Sequence, residues 1–139
     1  MSRNAEDGAT FDLVTIDAVD SVVLARFWAT ALQLGVEQEE DEGRWIVLGS
    51  SDRPRVLGIQ RISGLQPASS AWKGREKGRL HLDLACAPAI FDDEVERLVA
   101  VGARRLRPDR TEAYGSIATL ADPEGNVFDL CAYGPMHAQ

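Results

Sequence analysis

At 139 residues and 45% hydrophobic content, the chain is long enough to bury one core and too short for two. A net charge of -7, from 22 acidic against 15 basic residues, repels phosphate backbones and anionic membranes, so neither nucleic acid nor a membrane is an expected partner. No apolar run approaches the roughly 20 residues a bilayer requires, and the polar opening lacks a signal peptide's pattern, which makes a cytoplasmic location the default.

Residues 1–10 are read as a flexible N-terminal segment. In 11–18, Val14, Ile16 and Ala18 alternate with Leu13, Thr15 and Asp17, the pattern of a strand with one apolar face. Asp20 or Ser21 can cap a helix whose Val23, Phe27, Ala31 and Leu34 recur at helical spacing, with Gly35 at its end. Strand candidates follow at 36–40, 44–48 and 55–62, separated by the turn-forming runs 41–43 and 50–54.

Residues 63–78, with Gly, Pro, Ser and Lys and no sustained period, read as a linker. Alternation resumes at 79–86. Pro88 can open a second helix with Phe91, Val95, Leu98 and Val99 as its apolar stripe, ended by Gly102. Residues 103–108, 115–121 and 126–132 are strand candidates, with a tight turn at 122–126 before the last, and 134–139 form a tail. The second half thus repeats the order of the first, and Leu32 to Val36 and Leu98 to Ala103 end the two helices in similar words. The expected fold class is α+β: a single domain over 11–133 of two βαβββ modules, 11–62 and 79–133, whose mixed sheets curl around a cleft.

Cys86 and Cys131 sit in apolar stretches without CxxC spacing and read as small core residues. Basic residues gather at Lys73, Arg75, Lys77 and Arg79 and at Arg104, Arg105, Arg107 and Arg110, either as solvated surface or as an anion-attracting rim. No GxSxG, HExxH, P-loop or dinucleotide-binding fingerprint occurs, so covalent and nucleotide chemistry lack support.

Specific words in 11–131 resemble the glyoxalase-like branch of the vicinal-oxygen-chelate superfamily, the glyoxalase/bleomycin-resistance/dioxygenase type. Ala25-Arg26-Phe27-Trp28 with Leu32 is similar to that family's first helix, and Arg79-Leu80-His81-Leu82-Asp83-Leu84 to its fifth strand. Glu94-Val95-Glu96-Arg97-Leu98 is similar to its second helix, and Asp122-Pro123-Glu124-Gly125-Asn126 followed by Phe128 to the hairpin into its final strand. The resemblance implies a small-molecule ligand and a homodimer. The scaffold hosts metal-dependent isomerases, lyases, dioxygenases and proteins that only sequester a drug, so function must be argued from the site.

Metal-using members of that family carry ligands on the first, fourth, fifth and eighth strands, usually His or Gln, Glu, His and Glu. The resemblance places His81 at the histidine position and Asp129 at the final carboxylate. Gln60 stands near the fourth-strand position, and Leu13 or Thr15 at the first. The implied metal set is therefore His81, Asp129 and Gln60, an open site suited to Mn²⁺, Ni²⁺, Zn²⁺ or Fe²⁺.

His81 and Asp129 are equally candidates for proton transfer without a metal, and His81 for a structural imidazole. Asp17 and Asp83 hold equivalent places in the two halves, as partners of Arg61, Arg79 or Arg104 or as substrate-binding carboxylates. Thr15, Gln60, Trp45 and Trp72 complete the candidate substrate-binding set, Trp45 as a wall and Trp72 as a lid or dimer contact. Three functions follow: a lyase- or isomerase-type enzyme on a small oxygenated molecule, a drug-binding protein, or a metal-dependent dioxygenase.

Overall fold

Asp20 starts the first helix: its backbone is extended and its carboxylate accepts the Val23 N–H at 3.2 Å, satisfying a donor that the helix itself leaves open. The computed structural model describes residues 5–66 and 80–134. The chain divides into two compact units, 1–64 and 65–139.

In the first unit, strand β1 (Val14–Ala18) leads into α1 (Ser21–Leu32), and β2 (Gly35–Glu40), β3 (Trp45–Gly49) and β4 (Leu57–Arg61) follow. The sheet order is β1-β4-β3-β2, with β1 and β4 parallel and the other pairs antiparallel. One face, carrying Ala18, Ile46, Leu48, Leu57 and Ile59, is buried together with Leu24, Ala25, Phe27, Trp28 and Ala31 of α1. Phe27 and Trp28 meet edge to face, with ring centroids 5.1 Å apart. β2 is an exposed edge whose Glu37, Glu39 and Glu40 discourage pairing with another strand.

The second unit repeats the motif: β5 (Leu82–Ala85), α2 (Phe91–Ala100), β6 (Arg104–Arg105), β7 (Arg110–Glu112), β8 (Gly115–Ala121) and β9 (Val127–Tyr133). The order is β5-β9-β8-β6, with β7 also pairing β8, and β5 lies parallel to β9. Phe91, Val95 and Leu98 of α2 are buried with Ala118, Leu120, Phe128 and Leu130. At 122–126, Asp122 is 1% exposed and its carboxylate accepts the backbone N–H of Glu124 at 3.0 Å and of Asn126 at 2.9 Å. The Asn126 side-chain amide also donates to it, at 2.9 Å to Oδ2. The tight turn expected here is thus built around a buried carboxylate whose donors offset its burial.

Several expectations are corrected. Val23 and Val99 are 46% and 41% exposed and drop out of the stripes; Phe27, Ala31, Phe91, Val95 and Leu98 are buried as expected, joined in α1 by Leu24 and Trp28. α1 ends at Leu32, where Gln33 takes the left-handed conformation, and Gly35 already belongs to β2. Pro88 opens a short 3-10 turn ahead of α2. β1 begins at Val14, three residues later than the alternation indicated. β7 is an additional strand in a stretch to which the sequence reading gave no element, because 110–112 has polar ends and no apolar alternation. Among the described residues, no helix is long and apolar enough to cross a membrane.

Candidate metal centre

Parallel pairing of β5 with β9 sets Asp83 directly beside Asp129, and β8 sets Thr119 on the other side of Asp129. Since side chains alternate along a strand, these three share the sheet face opposite Leu82, Leu84, Phe128 and Leu130. His81, one residue ahead of β5, brings its Nε2 to 3.1 Å from Asp83 Oδ1 and 3.6 Å from Asp129 Oδ2. One ligand atom from each of His81, Asp83 and Asp129 lies within 4.8 Å of the others.

Burial divides the cluster. The Asp129 side chain is 8% exposed, against 37% for His81 and 53% for Asp83, so Asp129 anchors the site while the other two meet solvent. Thr119 Oγ1 donates to Asp129 Oδ1 at 2.8 Å, a charge-assisted bond between two buried side chains. The donor set is chemically suited to a cation: atoms about 2.1 Å from a common ion lie about 3.0–3.4 Å apart when adjacent, close to the separations of Nε2 from the two carboxylates. One imidazole and two carboxylates match Mn²⁺, Fe²⁺ or Zn²⁺ better than a thiol-seeking ion.

Cys131 lies two residues beyond Asp129 on the same face, paired across the sheet with Ala85 and Ile117. Burial pushes its thiol pKa up, a hydrogen bond with Tyr133 opposes this, and the carboxylates of Asp83 and Asp129 push it further up. It is a neutral neighbour of the cluster at physiological pH. Burial likewise raises the pKa of Cys86, and both cysteines are free thiols.

Other candidates from the sequence lie on the first sheet. Asp17 pairs with Gln60 across β1 and β4, and Gln60 with Trp45 across β4 and β3, so the three form one row. Thr15 stands one row further, opposite Gly58. The Trp45 indole lies over Gly58: a Cβ at that position would come 2.4 Å from its Cη2 and 2.9 Å from Thr15 Oγ1. The bare glycine backbone is what lets the ring lie against the sheet.

The structure therefore brings His81, Asp83 and Asp129 together within the second unit, with Asp83, read from sequence as substrate-binding, as the third donor. Gln60 stands with Asp17, Trp45 and Thr15 on the first sheet. Trp72 and the basic residues Lys73, Arg75, Lys77 and Arg79 lie outside the described residues. Thr119 was missed, because only the register of β8 against β9 reveals that its hydroxyl meets Asp129.

A family model described as a glyoxalase-like domain matches residues 13–131. The chain belongs to that family. Glyoxalase-like folds among solved structures agree. A mutant of the fosfomycin resistance protein FosX from Listeria monocytogenes, complexed with Mn(II) and 1S,2S-dihydroxypropylphosphonic acid, is 13% identical with a TM-score of 0.68, covering 91% of this chain and 92% of that one. A glyoxalase/dioxygenase from Nostoc punctiforme is 17% identical with a TM-score of 0.69, covering 88% and 90%. A glyoxalase-related enzyme from Fulvimarina pelagi is 19% identical with a TM-score of 0.66, covering 88% and 87%. No curated protein matches the chain. At these identities the structures establish the fold alone, and the activity of this glyoxalase-like protein is argued from its own side chains.

Proposed function

We propose that this glyoxalase-like protein binds a divalent cation through His81, Asp83 and Asp129 and acts as a lyase- or isomerase-type enzyme on a small oxygenated molecule. The observation that carries the reading is the convergence of one imidazole and two carboxylates within 4.8 Å on one face of the second sheet. The FosX relative holding Mn(II) on a related scaffold supports the choice of ion. When bound, such a cation would polarise an oxygen of the substrate. The buried Asp129 would fix the site's position, and the solvent-open His81 and Asp83 would leave room for a ligand beside it. In this reading Asp83, the more exposed carboxylate, would hold the ion through one oxygen and accept a proton from the substrate or from water on the other.

The decisive measurement is isothermal titration of chelator-stripped protein with Mn²⁺, Ni²⁺, Zn²⁺ and, without oxygen, Fe²⁺, alongside His81→Ala. Stoichiometric micromolar binding that is lost in His81→Ala is the expected result. The substrate search would then run through small oxygenated molecules as lyase, isomerase and dioxygenase substrates. Binding indifferent to His81, or none, sinks the metal reading.

A second reading, ligand binding without turnover, is favoured by the Trp45 ring lying on Gly58 beside Thr15, with Gln60 and Asp17 in the neighbouring row. An aromatic surface flanked by polar groups suits a flat, oxygenated ligand. Under that reading, Trp45 fluorescence responds to such ligands equally in wild type and His81→Ala.

A further inference from the structure

Asp129 has two carboxylate oxygens, and the fold treats them differently. Oδ2 faces His81 at 3.6 Å, while Oδ1 accepts from the Thr119 hydroxyl at 2.8 Å. Thr119 is 1% exposed in the middle of β8, directly opposite Asp129 in the antiparallel register with β9. A buried hydroxyl needs a partner, and a buried carboxylate needs a donor. The β-branched threonine side chain has a stiff χ1, which restricts where its Oγ1 can stand, and the hydroxyl hydrogen then turns toward the acceptor beside it.

We propose that Thr119 is a positioning residue for the candidate metal centre: by engaging Oδ1 of Asp129, it presents Oδ2 to the ion as a one-oxygen ligand. This rests on the metal reading given under Proposed function. A carboxylate that binds through one oxygen occupies one coordination position instead of two, and leaves another for water or for an oxygen of the substrate. Thr119 touches neither ion nor substrate in this scheme; it acts through Asp129. Hydrogen bonds to ligating carboxylates tune metal affinity in this way, and their loss costs about 10–100-fold.

The test uses Mn²⁺ alone as the probe, titrated into the full chain and followed by the electron paramagnetic resonance signal of free Mn²⁺ and by water-proton relaxation. Wild type, Thr119→Val, Thr119→Ser and His81→Ala are compared. Thr119→Val keeps the shape and removes the donor; Thr119→Ser keeps the donor and removes the methyl. The proposal expects Thr119→Val to bind at least about tenfold more weakly, with altered relaxation of the bound ion, and Thr119→Ser to bind like wild type. Should Thr119→Val not fold by circular dichroism, Thr119→Ala takes its place with the same expected loss. Wild-type affinity and relaxation in Thr119→Val overturn the proposal, as does a Thr119→Ser variant as weak as Thr119→Val, which would show that packing of the methyl matters and the hydroxyl does not. Binding lost in His81→Ala yet unchanged in Thr119→Val overturns this proposal alone. No binding by wild type overturns the metal reading and this proposal together.

Discussion

Gly115 opens β8 with φ at +144°, and a Cβ there would stand 2.0 Å from the Ala132 carbonyl oxygen of β9. The contact is with backbone that cannot step aside, so a substitution strains the β8–β9 pairing itself. Gly115→Ala is expected to cost about 2 kcal/mol or more, read as a lower midpoint in urea unfolding. Because β8 carries Thr119 and β9 carries Asp129, the same variant reports how closely strand registry and the site are linked. At this scale the sequence was informative where a residue's chemistry is rare, as with His81, the one histidine among the described residues, and Asp129 at the position its family resemblance indicated. It was silent on Thr119. A threonine in an apolar strand has an ordinary β propensity, and only its cross-strand partner turns the hydroxyl into part of a site.

Helix α2 shows how a single element carries its own pH response. Arg97 Nε lies 2.7 Å from Glu94 Oε1 and Nη2 lies 2.9 Å from Oε2, a two-pronged pair one turn apart. The hydrogen bond from Arg97 holds the Glu94 pKa below its ordinary value of 4.5, and burial partly opposes it. A lowered folded-state pKa means that the pair stabilises the protein above that ordinary value and loses its contribution as pH falls through the lowered one. Arg97→Gln is therefore expected to cost about 0.3–0.5 kcal/mol in unfolding experiments at neutral pH. In acid below the lowered pKa the two proteins should converge; a difference that persists there would point to packing of the Arg97 stem. Periodicity located both helices and most strands, yet it chose Val23 where Leu24 is buried, and it added the exposed Val99 to a stripe that Leu98 closes. Consecutive aliphatic residues make the phase of a helix ambiguous, and packing against a particular sheet decides it. β7 was illegible for a different reason: Arg110, Thr111 and Glu112 pair with β8 through backbone bonds that side-chain pattern does not encode.

For the molecule as a whole, the repeated βαβββ order was readable from turns, caps and periodicity, and it is realised in two units with matching parallel pairs, β1 with β4 and β5 with β9. The polar groups are distributed unequally between the sheets: the second holds the acidic cluster with its imidazole, and the first holds Asp17, Gln60 and Trp45 in a row. A cation that binds the folded chain and not the unfolded one must raise stability with the logarithm of its concentration over the dissociation constant, by about 2.7 kcal/mol at a hundredfold excess. Mn²⁺ is thus expected to raise the melting temperature of wild type and to leave that of His81→Ala unchanged. An equal shift in both would place the ion elsewhere.

The parallel partnership of β5 and β9 also sets a timetable. His81 and Asp83 emerge well before Asp129, and the intervening helix and strands must be laid down before the final strand can reach β5. Contacts between such distant stretches of chain are slow to close. A nascent or truncated chain that stops short of β9 therefore carries an imidazole and a carboxylate but lacks the buried anchor that joins them. Completion of the last strand is the event that assembles the cluster, so an ion taken up there would report a finished fold.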